Sequence, residues 1–106
     1  MNKQVSKVDD INSFSIMWKK HALQRMMERS ISRASVKTAI LNGVIIEQYP
    51  DDYPYPSCLI AYINSEPLHA VFSIDYESNI LYVITVYVPD EKHFKEDLIT
   101  RREDDK

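Results

Sequence analysis

An α+β domain, two N-terminal helices followed by a four-stranded antiparallel meander, is the fold class this sequence predicts, and three observations predict it. Apolar residues recur with a helical period as far as Gly43 and with a strand period after it. The later apolar runs are joined by short connections, which make neighbouring strands antiparallel. At 106 residues the chain is one domain, long enough to bury a core without crosslinks, so the helices should cover one face of one sheet.

Residues 1–14 lack periodicity and are expected to be a flexible lead-in to a single domain over residues 15–102, with 103–106 a charged tail. The first helix is expected over residues 17–29. At about 100° per residue, Trp18, Ala22, Leu23, Met26 and Met27 cover one apolar arc, and His21, Arg25 and Arg29 descend along its edge. Ser30-Ile31-Ser32 interrupts the helix, and Ser32 can cap a second one over residues 33–42. Gly43, the only glycine, stands where a left-handed C-terminal cap would be needed.

Strands are expected over residues 44–49, 58–63, 68–75 and 80–88, the later ones rich in β-branched and aromatic side chains. PDDYPYP cannot form a ladder and separates the first two. In the last hairpin, Glu77-Ser78-Asn79 suits a three-residue loop closed by a left-handed asparagine. Tyr76 would then pair with Ile80, Phe72 with Ile84, and His69 and Val71 with Tyr87 and Thr85. A four-residue loop would put His69 on the opposite face from Thr85 and Tyr87. After Pro89-Asp90, EKHFKEDLITRREDDK can supply a short C-terminal helix before the tail.

Composition narrows the function. The single cysteine, Cys58, excludes an internal disulfide, and no Cys/His spacing suits zinc, so neither a metal nor another cofactor is expected. With no signal-like or membrane-spanning run, a cytoplasmic location away from the membrane is expected. The net charge of −3 is unevenly divided. Up to Gly43, eight Lys and Arg face three Asp and Glu, a surplus of five, so the remainder carries −8. A basic face built from the N-terminal helices is one reading, and charges spread for solubility are the other.

The residues that carry chemistry are His21, Arg25 and Arg29 on the helix and His69, Thr85 and Tyr87 on the strands. Metal-independent RNA cleavage needs a base for the 2′-hydroxyl, an acid for the leaving oxygen and fixed positive charge for the phosphorane. Here His21 and His69 would be the acid/base pair, with Tyr87 orienting one of them. Arg25 and Arg29 would hold phosphate, and Thr85 would support the substrate. Plainer roles exist for each. The arginines can pair with Glu28 or with sheet carboxylates, and His69 can be a hydrogen-bonded core histidine. Tyr53 and Tyr55 can stack on bases or simply pack against prolines. His93 and the Arg101-Arg102 pair read as solvent-exposed, and Cys58 as buried and inert.

HALQRMMERSI, VIIEQY, PLHAVF and ITVYVP occur in that order, and together they resemble a widespread family of small bacterial domains of unknown function. The family pattern reads HAxxRMxxRxI, IIExY, PLHxV and TxYxP, and the likeness spans about residues 18–102. Families of this kind are grouped with the RelE and barnase-like fold of small ribonucleases, many of them toxins of toxin-antitoxin pairs. The resemblance implies a RelE-like fold and a ribonuclease or RNA-binding activity, with an antitoxin or another protein as a partner. By position it carries the pattern onto His21, Arg25, Arg29, Glu47, His69, Thr85 and Tyr87. The acidic C-terminal half departs from what an RNA binder ordinarily shows.

Overall fold

The computed structural model of the chain describes residues 4–103. Strand β1 (Ser15–Trp18) leads into helices α1 (Lys20–Arg29) and α2 (Arg33–Asn42). Strands β2 (Val44–Tyr49), β3 (Ser57–Tyr62), β4 (Leu68–Asp75) and β5 (Ile80–Tyr87) follow. The five strands form one sheet in the order β1-β5-β4-β3-β2, with β1 parallel to β5 and every other pair antiparallel.

The four-stranded antiparallel meander is therefore incomplete, because an additional parallel edge strand makes the sheet five-stranded and mixed. Residues 15–18 are alternately exposed and half-buried, with Ile16 and Trp18 facing inward. Four residues give too few alternations to separate a strand from the start of a helix. The partner strand lies some sixty residues away, with no local turn to announce it. Trp18 consequently belongs to the sheet rather than to the helical arc, and Arg33 lies over its ring at 5.6 Å.

Ser30, at φ 55°, is the left-handed end of α1, and its amide reaches the carbonyls of Met26 and Met27. Ser32 caps α2 as expected, its hydroxyl accepting from the Ser35 amide at 3.0 Å. Gly43 is not left-handed, since its φ of −77° is open to any residue. It is constrained by proximity instead: a Cβ there would lie 2.5 Å from the Ala39 carbonyl oxygen and 2.7 Å from that of Ala61.

The core lies between the helices and one sheet face, where Val36, Ala39, Ile40, Ala22 and Met26 meet Ile60, Ala70, Phe72, Leu81, Val83 and Val86. The lead-in is not frayed over its described part. Val5, Val8 and Ile11 are buried in this core, and the Gln48 side chain bonds the Val5 backbone at both its amide and its carbonyl.

The last hairpin has a four-residue loop, because Asp75 rather than Tyr76 pairs with Ile80. The Asp75 carboxylate accepts from the Glu77 and Ser78 amides at 3.1 and 3.3 Å, and Asn79 is left-handed. On a regular ladder this loop would turn Thr85 and Tyr87 toward the helices. A β-bulge prevents that: Phe72 pairs with Val83 but Val71 pairs with Thr85, leaving Ile84 as the extra residue. Phe72 thus does not face Ile84, yet His69 does face Tyr87. The additional loop residue and the bulge each shift the register by one and cancel.

A second bulge, at Ile46 in β2, does the same for Glu47. Ile45 pairs with Ile60 in the core, whereas Glu47 pairs with Leu59 on the face away from the helices. Part of that face is covered by residues 90–102, which form turns rather than the expected short helix. Asp90 and Asp97 bind nearby backbone amides with their carboxylates, which competes with helix formation, and Leu98 is left-handed. Phe94 and Arg101 bridge this strap upon itself. The expected charged tail lies outside the described residues beyond Glu103.

Candidate functional site

The β1 ladder ends where Trp18 meets Val83, and the Lys19 amide donates to the Val83 carbonyl at 3.0 Å as the chain turns into α1. Among the described residues, the remainder of β5 has no strand on that side. The edge is flanked instead by α1, whose Ala22 and Met26 are buried while its polar flank projects past the edge. A cleft of about 390 Å³ opens there, lined by His21, Arg25 and Arg29 from α1 and by Thr85 and Tyr87 from β5. The strap completes it with Asp90, His93 and Arg101.

Five of the six expected site residues therefore meet in one cleft. The sixth, His69, shares their sheet face but is fully buried behind Tyr87. Its Nδ1 lies 3.0 Å from the Tyr87 hydroxyl and its Nε2 lies 2.7 Å from the Leu98 carbonyl oxygen. A carbonyl only accepts, so Nε2 carries the proton and Nδ1 accepts from Tyr87. Burial holds the His69 pKa below its ordinary value despite the Leu98 hydrogen bond, which keeps the ring neutral near pH 7. The ring of Phe94 packs edge-on against it at 4.7 Å.

Beyond His69 the polar chain continues to β2. The Arg101 Nε and Nη2 donate to the two Glu47 oxygens at 2.6 and 3.2 Å, and the Tyr49 hydroxyl donates to Glu47 as well. Partial burial raises the Glu47 pKa, but the Arg101 and Tyr49 hydrogen bonds outweigh it and hold the carboxyl below the usual range. The same contacts raise the pKa of Arg101, and that of Tyr49 is raised by burial and by Glu47. Arg101 also stacks over Phe94 at 4.9 Å.

The helix side differs. Arg25 has one distant partner, Glu28 at 3.7 Å, both side chains being about half exposed. Among the described residues, His21 and Arg29 make no side-chain hydrogen bond or ion pair. The sequence did not single out Asp90, His93 or Arg101 as part of the site. His93 is exposed as expected, but its Nδ1 pairs with Asp90 at 2.9 Å at the rim of the cleft. The one signal for Arg101 was Glu47, a carboxylate in an apolar strand that needs a cation. Cys58 is buried, its thiol pushed up to about 12 by that burial. Among the described residues, no group of three His, Cys, Asp or Glu side chains is placed to hold a metal ion, and no helix is long and apolar enough to cross a membrane.

The class so defined is a small α+β domain with a cationic cleft at the open edge of a mixed sheet. Residues 18–88 match the family model described as Domain of unknown function (DUF4258), and the chain belongs to that family. No curated protein and no solved structure matches the chain. The strap of residues 90–102, with Arg101 and Phe94, lies beyond the matched segment.

Proposed function

We propose that the cleft binds the phosphodiester backbone of single-stranded RNA, and that the domain is a metal-independent endoribonuclease acting in the cytoplasm in the manner of a toxin. The observation that carries this reading is the convergence of His21, Arg25, Arg29, Thr85 and Tyr87 on one cleft. Arg25 and Arg29 stand one helical turn apart, about 6 Å along the axis, and both can reach one phosphate or its neighbour. The ordered motifs resemble a family of a kind grouped with the RelE-like ribonucleases, and that analogy of fold supports the same chemistry.

In this reading Tyr87 is the group next to the 2′-hydroxyl. Its own proton points to His69 Nδ1, and its side chain lines the cleft beside Thr85. The 2′-hydroxyl proton passes to Tyr87 as the Tyr87 proton passes to His69. The 2′-oxygen then attacks phosphorus, and the P–O5′ bond breaks. A protonated His21 gives its proton to the departing O5′, producing a 2′,3′-cyclic phosphate and a 5′-hydroxyl. His69 thus acts through Tyr87 and does not touch substrate. Thr85 supports the substrate and the two arginines stabilise the phosphorane charge.

The test is cleavage of a defined RNA in EDTA, with product ends identified, by wild type beside His21→Ala and Tyr87→Phe. Each variant should lose about 10²- to 10⁴-fold, with His21→Ala unfolding as wild type does and Tyr87→Phe remaining folded but less stable for want of its bond to His69. Equal cleavage by all three would assign the activity to a contaminant. The second reading, a non-catalytic domain that grips carboxylates of a protein such as an antitoxin, draws on Met27. That side chain is 83% exposed on the flank of α1 opposite the arginines, an apolar surface outside the cleft that RNA phosphate would not need.

A further inference from the structure

The face that carries Thr85 and Tyr87 continues along β5 to a second depression of about 370 Å³. It is lined by Lys19, Asp52, Tyr53, Tyr55, Tyr82 and Ile84, with Ser73 at its floor. Tyr82 and Tyr87 are five residues apart on one strand, about 15 Å at the rise of a β-strand. The bulge at Ile84 is the hinge between the two depressions: Tyr82 lies before it and Thr85 after it, yet both face away from the core.

Two kinds of tyrosine meet there. Tyr55 and Tyr82 are held. Their rings stack at 5.7 Å with planes 12° apart, and the Tyr55 hydroxyl donates to Asp75 at 3.1 Å. Lys19 Nζ lies 5.1 Å from the Tyr82 centroid, so positive charge sits at the edge of the aromatic pair. Tyr53 is 94% exposed and, among the described residues, has no ring partner. Asp52 accepts from the Ser57 hydroxyl and is fixed at the rim with further acceptor capacity. A single exposed aromatic is ordinary. An exposed aromatic beside a fixed aromatic pair, a lysine and a carboxylate, on the same strand as a cationic cleft, is the arrangement that single-stranded nucleic acid uses.

We infer that this depression is a nucleobase subsite, in which a base further along the strand from the phosphate in the first cleft stacks on Tyr53. Lys19 takes the adjoining phosphate, and Asp52 accepts from an amino or imino N–H of the base. Its place in a longer RNA track rests on the phosphate-binding reading of the first cleft. It adds that the ligand is single-stranded and has bases, since a paired base cannot present its face to Tyr53.

The experiment compares two probes by fluorescence anisotropy at low salt: a short single-stranded RNA, and a ribose-phosphate strand of equal length without bases. Wild type should prefer the RNA by about 5- to 100-fold, the range that stacking of one base supplies. Tyr53→Ala should lose that preference while its affinity for the abasic strand stays unchanged, and Lys19→Ala should weaken both probes. The subsite is overturned, with the phosphate cleft left standing, if wild type binds the two probes equally or if Tyr53→Ala keeps the preference. Binding of neither probe by wild type overturns both readings together.

Discussion

The two walls of the cleft are built on opposite principles. On the strand wall, Tyr87 and Arg101 belong to a partly buried chain of hydrogen bonds running from Tyr87 through His69 to the strap, and from Arg101 to Glu47 and Tyr49. On the helix wall, His21 and Arg29 are exposed and Arg25 has only a distant carboxylate. A buried polar group must be satisfied by the fold itself, so the strand wall contributes to stability whether or not a ligand is present. Exposed cations contribute almost nothing to stability and remain available. The difference teaches where function can be separated from folding: on the helix wall it can, and on the strand wall the two are coupled.

The sharpest way to break this comparison is to exchange the expected effects. His21→Ala should reduce RNA cleavage by about 10²- to 10⁴-fold with unfolding free energy within about 0.5 kcal/mol of wild type. A marked loss of stability, read by urea denaturation, would mean that the helix wall is structural too.

His69→Ala is the converse. It removes the partner of the Tyr87 hydroxyl proton and of the Leu98 carbonyl and should cost about 2–6 kcal/mol of stability, since each orphaned group costs about 1–3. An unchanged urea midpoint would show that the strand wall is not a supporting network.

Acid sharpens the contrast further. Because burial holds the folded His69 pKa below its ordinary value of 6.5, the unfolded chain takes up the proton first as pH falls. The stability that neutral His69 contributes is thus complete above about pH 6.5 and declines below it, toward the depressed folded value. The slope is at most about 1.4 kcal/mol per pH unit. A His69→Gln variant should lack this slope between pH 6.5 and 5. A wild type insensitive across that window would contradict a neutral buried ring. Glu47 and Asp97, both held low in the fold, add their own acid sensitivity only below the ordinary carboxylate range.

The smallest expected effect is electrostatic. Arg25→Ala or Arg29→Ala should each flatten the dependence of RNA affinity on salt by about 0.7 logarithmic units per decade, the contribution of one phosphate contact on a single strand. An unaltered slope in both variants would favour carboxylates of a protein partner as the ligand of the helix wall.

Both walls were legible in the sequence to different depths. The fourfold spacing of His21, Arg25 and Arg29 placed them on one flank of a helix, and that flank is where they are, because helical geometry is fixed by local bonds. For the strand wall, the expectation that His69 shares a face with Thr85 and Tyr87 holds, but for a different reason from the one the loop supplied. The hairpin loop is one residue longer than Glu77-Ser78-Asn79, and a bulge at Ile84 restores the phase. A bulge is an agreement between two strands about packing, and ILYVITVY carries no mark of where it falls.

What the sequence determined by itself is what local rules dictate: the two-helix-then-strands order, the serine cap of α2 and the cationic stripe. Only the tertiary structure decided that residues 15–18 form a parallel edge strand, that the lead-in is core, and that residues 90–102 strap the sheet and bring Arg101 to Glu47. It also decided that His69 is enclosed behind Tyr87, with its Nδ1 turned to that hydroxyl. These are contacts between residues distant in sequence. Each depends on which distant surface remains uncovered once the local elements have packed, and no window along the chain contains that information.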